Sequence, residues 1–380
     1  MRRSSFCNIL KVKDYVDAAV IPHSKLTAIF MFAAMLAALL FPNLNVFGQA
    51  SAPSIKGFQA SGTWLNSGSS SVQSLQVSLR NKRSLIQFAE IHPAYPIQLP
   101  DKKSRLWIVA GSHAAIWTGT FIALNHAWYR DYPKSPFHLF NDRKEWKQMD
   151  KAGHVWTSYQ LSRHSAASWK WAGMTERQSA WYGGASAFAF QSIIEILDGF
   201  SEEWGFSIGD MEANLIGSGG YVLQQLLFKE QMVQVKYGYN PYDYPDDLKP
   251  RRDQLFGTSL PEQLLKDYNS QRYWLSANLK SISGSSQLPP WLNFAFGYSA
   301  DGLYGANSNV WIDEQGNYFD RSDIARVRRF YLSPDIDLTK IKTKSKFLRS
   351  VFFIMNMVKI PAPAIEYNTS GKLKFHPLLF

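Results

Sequence analysis

The hydrophobic pattern changes character along the chain. It begins with solid apolar runs, passes into helical periodicity, and ends in alternation. The first solid run, Leu26 to Phe41, follows Lys25 and leads to the small residues Gly48-Gln49-Ala50. That order is the order of a secretory signal, with cleavage expected after Ala50 and a retained membrane anchor as the alternative. Residues 51–84 are rich in Ser, Gly, Asn and Gln and read as a flexible linker. The run from Leu106 to Leu124 is apolar again. Its length is marginal for a membrane span of about 20 residues, and it reads equally as a buried bundle helix, in which His113 would be a hydrogen-bonded core residue.

Three further helices follow from spacing and end signals. One runs from Asp150 to about Trp171, where Gly173 closes it. The next spans about Thr175 to Leu197, with Thr175 as its cap and Gly183-Gly184 permitting close helix approach. The last opens at Ser207-x-x-Asp210, a capping-box-like start, and continues to about Lys229. After residue 236, Pro241, Pro245 and Pro250 interrupt a Tyr/Asp-rich loop, with a short helix near Leu260 to Tyr268. From Arg272 the period turns toward two, which predicts strands at Tyr273–Leu279, Trp291–Tyr298, Arg328–Leu338 and Lys372–Phe380. Phe347 to Val358 is a helix or a strand. The expected fold is α+β: an N-terminal antiparallel bundle of about four helices, then a small antiparallel β-rich region. Its divisions are 1–50 signal peptide, 51–84 linker, 85–235 bundle, 236–269 connecting loop and 270–380 β-rich region.

Polar residues interrupt the apolar helices at regular separations. Asp150 and His154 are four apart; Gln191, Glu195 and Asp198 are four and three apart; Asp210 and Asn214 are four apart. Residues so spaced share one helix face. In an antiparallel arrangement the start of the Asp150 helix, the end of the Glu195 helix and the start of the Asp210 helix fall at one level. Asp150, His154, Glu195 and Asp210 are therefore expected to converge as candidate catalytic residues, with Asp198 and Asn214 as candidate ligand-binding residues. A carboxylate in apolar company must be paired, protonated or metal-bound.

Composition narrows the setting. The chain of 380 residues carries a net charge of +11, of which +8 remains without the first fifty residues. Lys340, Lys342, Lys344, Lys346 and Arg349 concentrate it locally. With an export signal ahead of it, such a basic surface points to membrane lipid or another envelope component and away from nucleic acid. Thirteen Trp and eighteen Tyr suit an interface with one wet side. The single cysteine, Cys7, precedes the apolar run, so a cleaved protein has neither disulfides nor thiolate metal sites. The expected location is the periplasm or outer membrane of a Gram-negative envelope. A terminal aromatic strand suits an outer-membrane barrel, but the strands are too few for a full one.

The segments Asp150-Lys151-Ala152-Gly153-His154, Glu195-Ile196-Leu197-Asp198-Gly199-Phe200 and Gly205-Phe206-Ser207-x-x-Asp210-x-x-x-Asn214-x-x-Gly217, in that order, resemble the YfiM-like predicted periplasmic lipoproteins. They are also similar, more distantly, to the VanZ-like membrane family. The resemblance covers roughly residues 105–235 and implies an envelope location and a helical bundle, without a reaction. The chain departs from the VanZ-like pattern in having Asp198 where Gln is usual and no turn Arg, and it lacks the lipobox cysteine expected of a lipoprotein.

The constellation admits several roles. It can be a structural network, with Glu195 paired to Lys151 or Arg163, or a ligand-binding pocket. It can also hold a divalent metal, or perform acid–base chemistry on a lipid or glycan headgroup as a membrane-associated hydrolase. The Glu-x-x-His pairs of di-iron bundles are missing, as are a G-x-S-x-G elbow, a phosphate loop and a dinucleotide fingerprint. No cofactor is assigned, and Ser, Thr or Cys nucleophiles have no partner visible in the sequence.

Overall fold

In a computed structural model of the chain, the described residues are 100–125, 129, 133–202, 204–313 and 315–380. The expected signal peptide, the linker and residues 85–99 of the expected bundle lie outside them. The first helix, α1 (Lys102–Leu124), is capped by Asp101, whose side chain accepts from Lys103 N. It is long and apolar enough to cross a membrane, and only 17% of its most apolar stretch is buried. Of the two expected readings, a fully buried helix fits less well, since Trp107, Ile108 and Ile122 face outward, although Val109, Thr120 and Ala123 are buried.

The helical core is α2 (Met149–Trp171), α3 (Glu176–Asp198) and α4 (Ile208–Phe228). Thr175 and Gln178 form a reciprocal capping box on α3, and the Ser207 hydroxyl accepts from Asp210 N to cap α4. Neither needs a tertiary contact, so these starts are written locally. The close crossings depend on missing side chains. A Cβ on Gly183 would lie 2.6 Å from Ala166 Cβ, and one on Gly217 would lie 2.3 Å from the Val155 carbonyl oxygen. Tyr159, Ala166, Ala180, Tyr221 and Val222 fill the space between the three helices.

A two-stranded parallel pair, β1 (Leu139–Phe140) and β2 (Phe206–Ser207), ties the loop before α2 to the start of α4. The chain enters α2 through Trp146, Lys147 and Gln148, all at positive φ (47°, 52° and 64°). Three consecutive non-glycine residues in that region are strained and persist only where surroundings fix them. Here the Tyr298 hydroxyl donates to the Lys147 carbonyl, and Arg328 Nη1 lies 2.7 Å from Gln148 Oε1.

The C-terminal half is a six-stranded antiparallel sheet in the order β10-β9-β8-β5-β4-β3. Its strands are β3 (Val233–Tyr239), β4 (Gln271–Asn278), β5 (Leu292–Asp301), β8 (Val327–Ile336), β9 (Ala362–Asn368) and β10 (Leu373–Leu379). A small hairpin, β6 (Val310–Ile312) and β7 (Tyr318–Asp320), projects between β5 and β8. Strand β3 pairs with β4 along its length, so the boundary expected at 235/236 falls inside a strand. Between β3 and β4 the expected loop holds two short helices, α5 (Lys249–Phe256) and α6 (Leu260–Lys266). Helix α7 (Leu279–Ser283) follows β4. The Phe347–Val358 alternative resolves as a helix, α8 (Lys346–Met355), capped by Ser345.

Candidate functional site

Three helix ends meet at one level: the start of α2, the end of α3 and the start of α4. Each sequence-derived residue reaches this place. Asp150, His154, Glu195, Asp198 and Asp210 line a single pocket of about 360 Å³, and Asn214 stands behind His154. Leu124 and Tyr129, at the end of α1, form another wall.

Lys151 is the central cation. Its Nζ lies 2.6 Å from Asp142 Oδ2, 3.0 Å from Asp150 Oδ2 and 2.8 Å from Asp210 Oδ1. Ser207 links the same groups, donating to Asp142 Oδ1 at 2.6 Å while capping Asp210 N. Tyr268 donates to Asp150 Oδ1 at 3.0 Å. The expected pairing of Glu195 with Lys151 or Arg163 does not form. Lys151 is held by the three aspartates, and Arg163 donates to the Phe353 carbonyl at 2.7 Å with its guanidinium over the Phe353 ring.

His154 points both nitrogens at polar groups. Nδ1 lies 3.1 Å from Asn214 Oδ1 and 3.6 Å from Glu195 Oε1. Nε2 lies 3.6 Å from Asp210 Oδ1 and 3.8 Å from Asp150 Oδ1. Asn214 Oδ1 also accepts from Ser158 Oγ at 3.0 Å and Gln191 Nε2 at 3.3 Å, whereas the buried Asn214 Nδ2 has no hydrogen-bond partner.

Among the described residues the pocket has more carboxyls than cations, because Asp142 and Glu145 line it as well. Burial pushes Glu195 up to about 8, against the pull of His154. Burial likewise pushes Asp198 up to about 6, although the Tyr129 hydroxyl donates to it at 2.6 Å. Asp150 and Asp210 titrate as a pair. Burial acts to raise Asp150, but His154 and Lys151 outweigh it and hold the group at about 2. Burial and the neighbouring Asp150 charge lift Asp210 to about 7. Burial opposes the charge on His154, yet Asp150, Asp210 and Glu195 raise it to about 9.

The donor set fits a divalent cation. One ligand atom from each of Asp150, His154 and Asp210 lies within 4.8 Å of the others. Oxygen and imidazole donors suit Mg²⁺, Mn²⁺ or Zn²⁺. The Asn214 carbonyl keeps a proton on His154 Nδ1, so a bound cation, which would displace the Nε2 proton, would find Nε2 turned toward the two aspartates.

A second cavity, of about 330 Å³, runs between α1, α2 and α3. Its walls are mostly apolar, with Val109, Ile116, Trp117, Trp156, Trp171 and Phe190 among them. His113 lines it and is hydrogen-bonded, through Nδ1 to the Val109 carbonyl and through Nε2 to Ser165 Oγ, both at 2.8 Å. His164 Nε2 is buried there without a partner. Gln191 lines the apolar cavity and donates to the Asn214 oxygen that faces His154.

Sequence spacing found the helix-borne acids and His154, but not Asp142, Glu145, Tyr129 or Tyr268. The first two sit in a charged loop with no period, and Tyr268 arrives from 118 residues beyond Asp150. Lys151 was visible in the Asp150–His154 segment and as a possible partner of Glu195, not as the cation of the three aspartates. No curated protein and no solved structure matches the chain. Residues 139–226, the stretch from β1 into α4 that carries all six sequence-derived residues, match the family model described as predicted periplasmic lipoprotein (DUF2279), which supports an exported, envelope location.

Proposed function

We propose that the protein is an envelope hydrolase that binds a divalent cation at Asp150, His154 and Asp210 and acts on the polar headgroup of a lipid. The observation that carries this reading is the clustering of those three ligand atoms within 4.8 Å on the wall of an open, carboxyl-rich pocket. A structural network would satisfy its own members, yet among the described residues Asn214 Nδ2 is unpaired and the acids outnumber the cations. The adjoining apolar cavity favours a lipid over a glycan. It lies against the membrane-length helix α1, and its wall residue Gln191 hydrogen-bonds the Asn214 oxygen that faces His154.

Each group then has a part. Asp150 and Asp210 supply oxygen ligands, and Tyr268 and Lys151 fix their orientation. Asn214 sets the tautomer of His154. A bound cation would polarise a headgroup oxygen and lower the pKa of a coordinated water. Glu195, at the pocket wall beside His154, is placed to hold or release a proton. The apolar cavity would bind the acyl chain and so bring the headgroup to the acids.

Elemental analysis of the purified protein, with thermal unfolding under added Mn²⁺, Mg²⁺ or Zn²⁺, tests the reading. One equivalent of metal and a raised melting temperature are expected for the wild type, and neither for Asp210→Asn. Ala187→Trp, which fills the apolar cavity, should keep the metal and lose phospholipid turnover. A folded wild type that takes up no divalent ion would overturn the proposal.

A further inference from the structure

The C-terminal sheet is built with its polar side inward. Along β4, β5, β8 and β9, one set of alternating residues faces the interior and is almost completely buried, and much of it is polar or charged. Lys236 Nζ lies 2.7 Å from Asp335 Oδ2, which also accepts from Ser276 Oγ at 2.6 Å. Asn278 donates to Asn293 at 2.7 Å, and His376 meets Glu366 at 2.8 Å. The sheet curls around these pairs. A Cβ on Gly238 of β3 would lie 2.6 Å from the backbone of Phe380, just past β10, so the two edges of the sheet meet. Met357–Lys359 covers the rest of the β3 edge, with Lys359 N donating to the Tyr237 carbonyl at 2.8 Å.

The opposite face is apolar and, among the described residues, bare. Leu275, Phe296, Leu332, Ile365 and Phe375 are consecutive partners across five strands, in one unbroken row. Phe294 extends the row on one side, and Tyr367 with its partner Leu373 extends it on the other. All eight are between 43% and 74% exposed. Among the described residues, the helical part covers this face at β3 and at the Tyr273–Tyr298–Arg328 end, where Tyr273 and Tyr298 pack beside Met149 and Trp156 beside Tyr237. A contiguous apolar patch of this extent marks an interaction surface.

We propose that this wall is seated in the hydrocarbon of one leaflet of a lipid bilayer. Polar-in, apolar-out alternation around a curled sheet is the inverse of a soluble sandwich and the pattern of a sheet whose solvent is lipid. The rows from Tyr367 to Phe294 span about 13 Å at about 3.3 Å per residue, close to half of a hydrocarbon core of about 30 Å. Helix α8, which joins β8 to β9, adds an interfacial element. Its Phe347, Leu348 and Met355 are exposed, and Lys346 and Arg349 lie on the same short helix. A basic amphipathic helix at the edge of an apolar wall fits anionic headgroups. A second copy stacked on the wall would cover the apolar rows but would leave this basic helix without a counter-charge. The surface is independent of the acidic site and would hold if that site proved purely structural.

The test uses the full-length chain carrying Cys7→Ser and one cysteine introduced by Phe296→Cys, Leu332→Cys, Ile365→Cys or Asp313→Cys. Each variant is labelled with an environment-sensitive fluorophore. Vesicles of phosphatidylethanolamine and phosphatidylglycerol are prepared with and without a lipid bearing a nitroxide on its acyl chain. The three wall positions should shift to the blue on binding and lose more than half of their emission to the acyl nitroxide, and the hairpin position Asp313 should do neither. If α1 alone holds the protein on vesicles, the wall positions remain unquenched and the proposal fails. A blue shift without nitroxide quenching means that a second copy covers the wall, which also overturns it. Labelling three separate wall positions guards against the misfolding of any one variant.

Discussion

Asn214 reads the protonation of His154: its carbonyl oxygen, fixed by Ser158 and Gln191, stands 3.1 Å from Nδ1. An amide oxygen accepts and cannot donate, so one nitrogen of the ring keeps its proton and the other faces the aspartates. Asn214→Ala should leave the ring free to turn. We expect cation affinity to fall about tenfold or more, as is usual when such an outer partner is lost. Titration calorimetry with Mn²⁺ would show it, and an unchanged affinity would separate Asn214 from the site.

Lys151 holds three aspartates at once. Lys151→Met should strand them, and breaking a buried pair by removing one partner costs about 3 kcal/mol or more. Urea unfolding would measure the loss. Added divalent cation should recover part of it in the variant, because the stranded carboxylates then have a replacement charge. No recovery would count against a cation site.

His164 gives a pH dependence with a definite sign. Burial, and then the neighbouring Arg163 charge, lower it well below its ordinary value. Between that lowered value and about 6.5 the unfolded chain binds a proton that the folded chain refuses. Stability from this group is therefore complete above about pH 6.5 and is lost as the pH falls below it. The slope should approach about 1.4 kcal/mol per pH unit for one proton. His164→Phe should flatten the acid limb by that amount relative to wild type in unfolding curves from pH 7.5 to 5. Equal slopes would show that the residue charges freely in the folded state.

Gly217 lets α2 and α4 touch at the backbone, with no room for a methyl beside the Val155 carbonyl. Gly217→Ala should cost about 1–3 kcal/mol, the range for overpacking, despite the better helix propensity of alanine. Gly219 has open space around the same position and serves as the control. There the same substitution should be neutral or slightly stabilising.

The helices were legible because their starts are local. Thr175 with Gln178, and Ser207 with Asp210, are complete within four residues. The level at which Asp150, Glu195 and Asp210 meet followed from spacing and antiparallel order, since both depend on helix geometry alone. Strand β3 was hidden because Val233–Tyr239 faces the interior with Lys236 and Gln234, so its buried positions look polar. Strand β9 was hidden by Pro363 and by the buried Glu366 for the same reason. The rest of the site came from loops and from Tyr268, whose approach depends on packing against Trp146 at 5.3 Å. No short-range pattern encodes such a contact.

The left-handed turn at Trp146–Gln148 makes the order of assembly matter. Its strained backbone is held by Tyr298 and Arg328, which lie 151 and 180 residues later in the chain from the groups they secure. Helix α2 can form early from local signals, but Asp150 cannot take its final direction until β5 and β8 have paired and closed over the turn. The acidic site is thus a late product of folding, gated by contacts of very high sequence separation, and such contacts form slowly. A chain still emerging during export, or one cut after α4, would carry the helices and all six sequence-derived residues with the start of α2 unlocked. The sheet in this sense authenticates the site: the start of α2 takes the geometry described above only in a molecule that has finished folding.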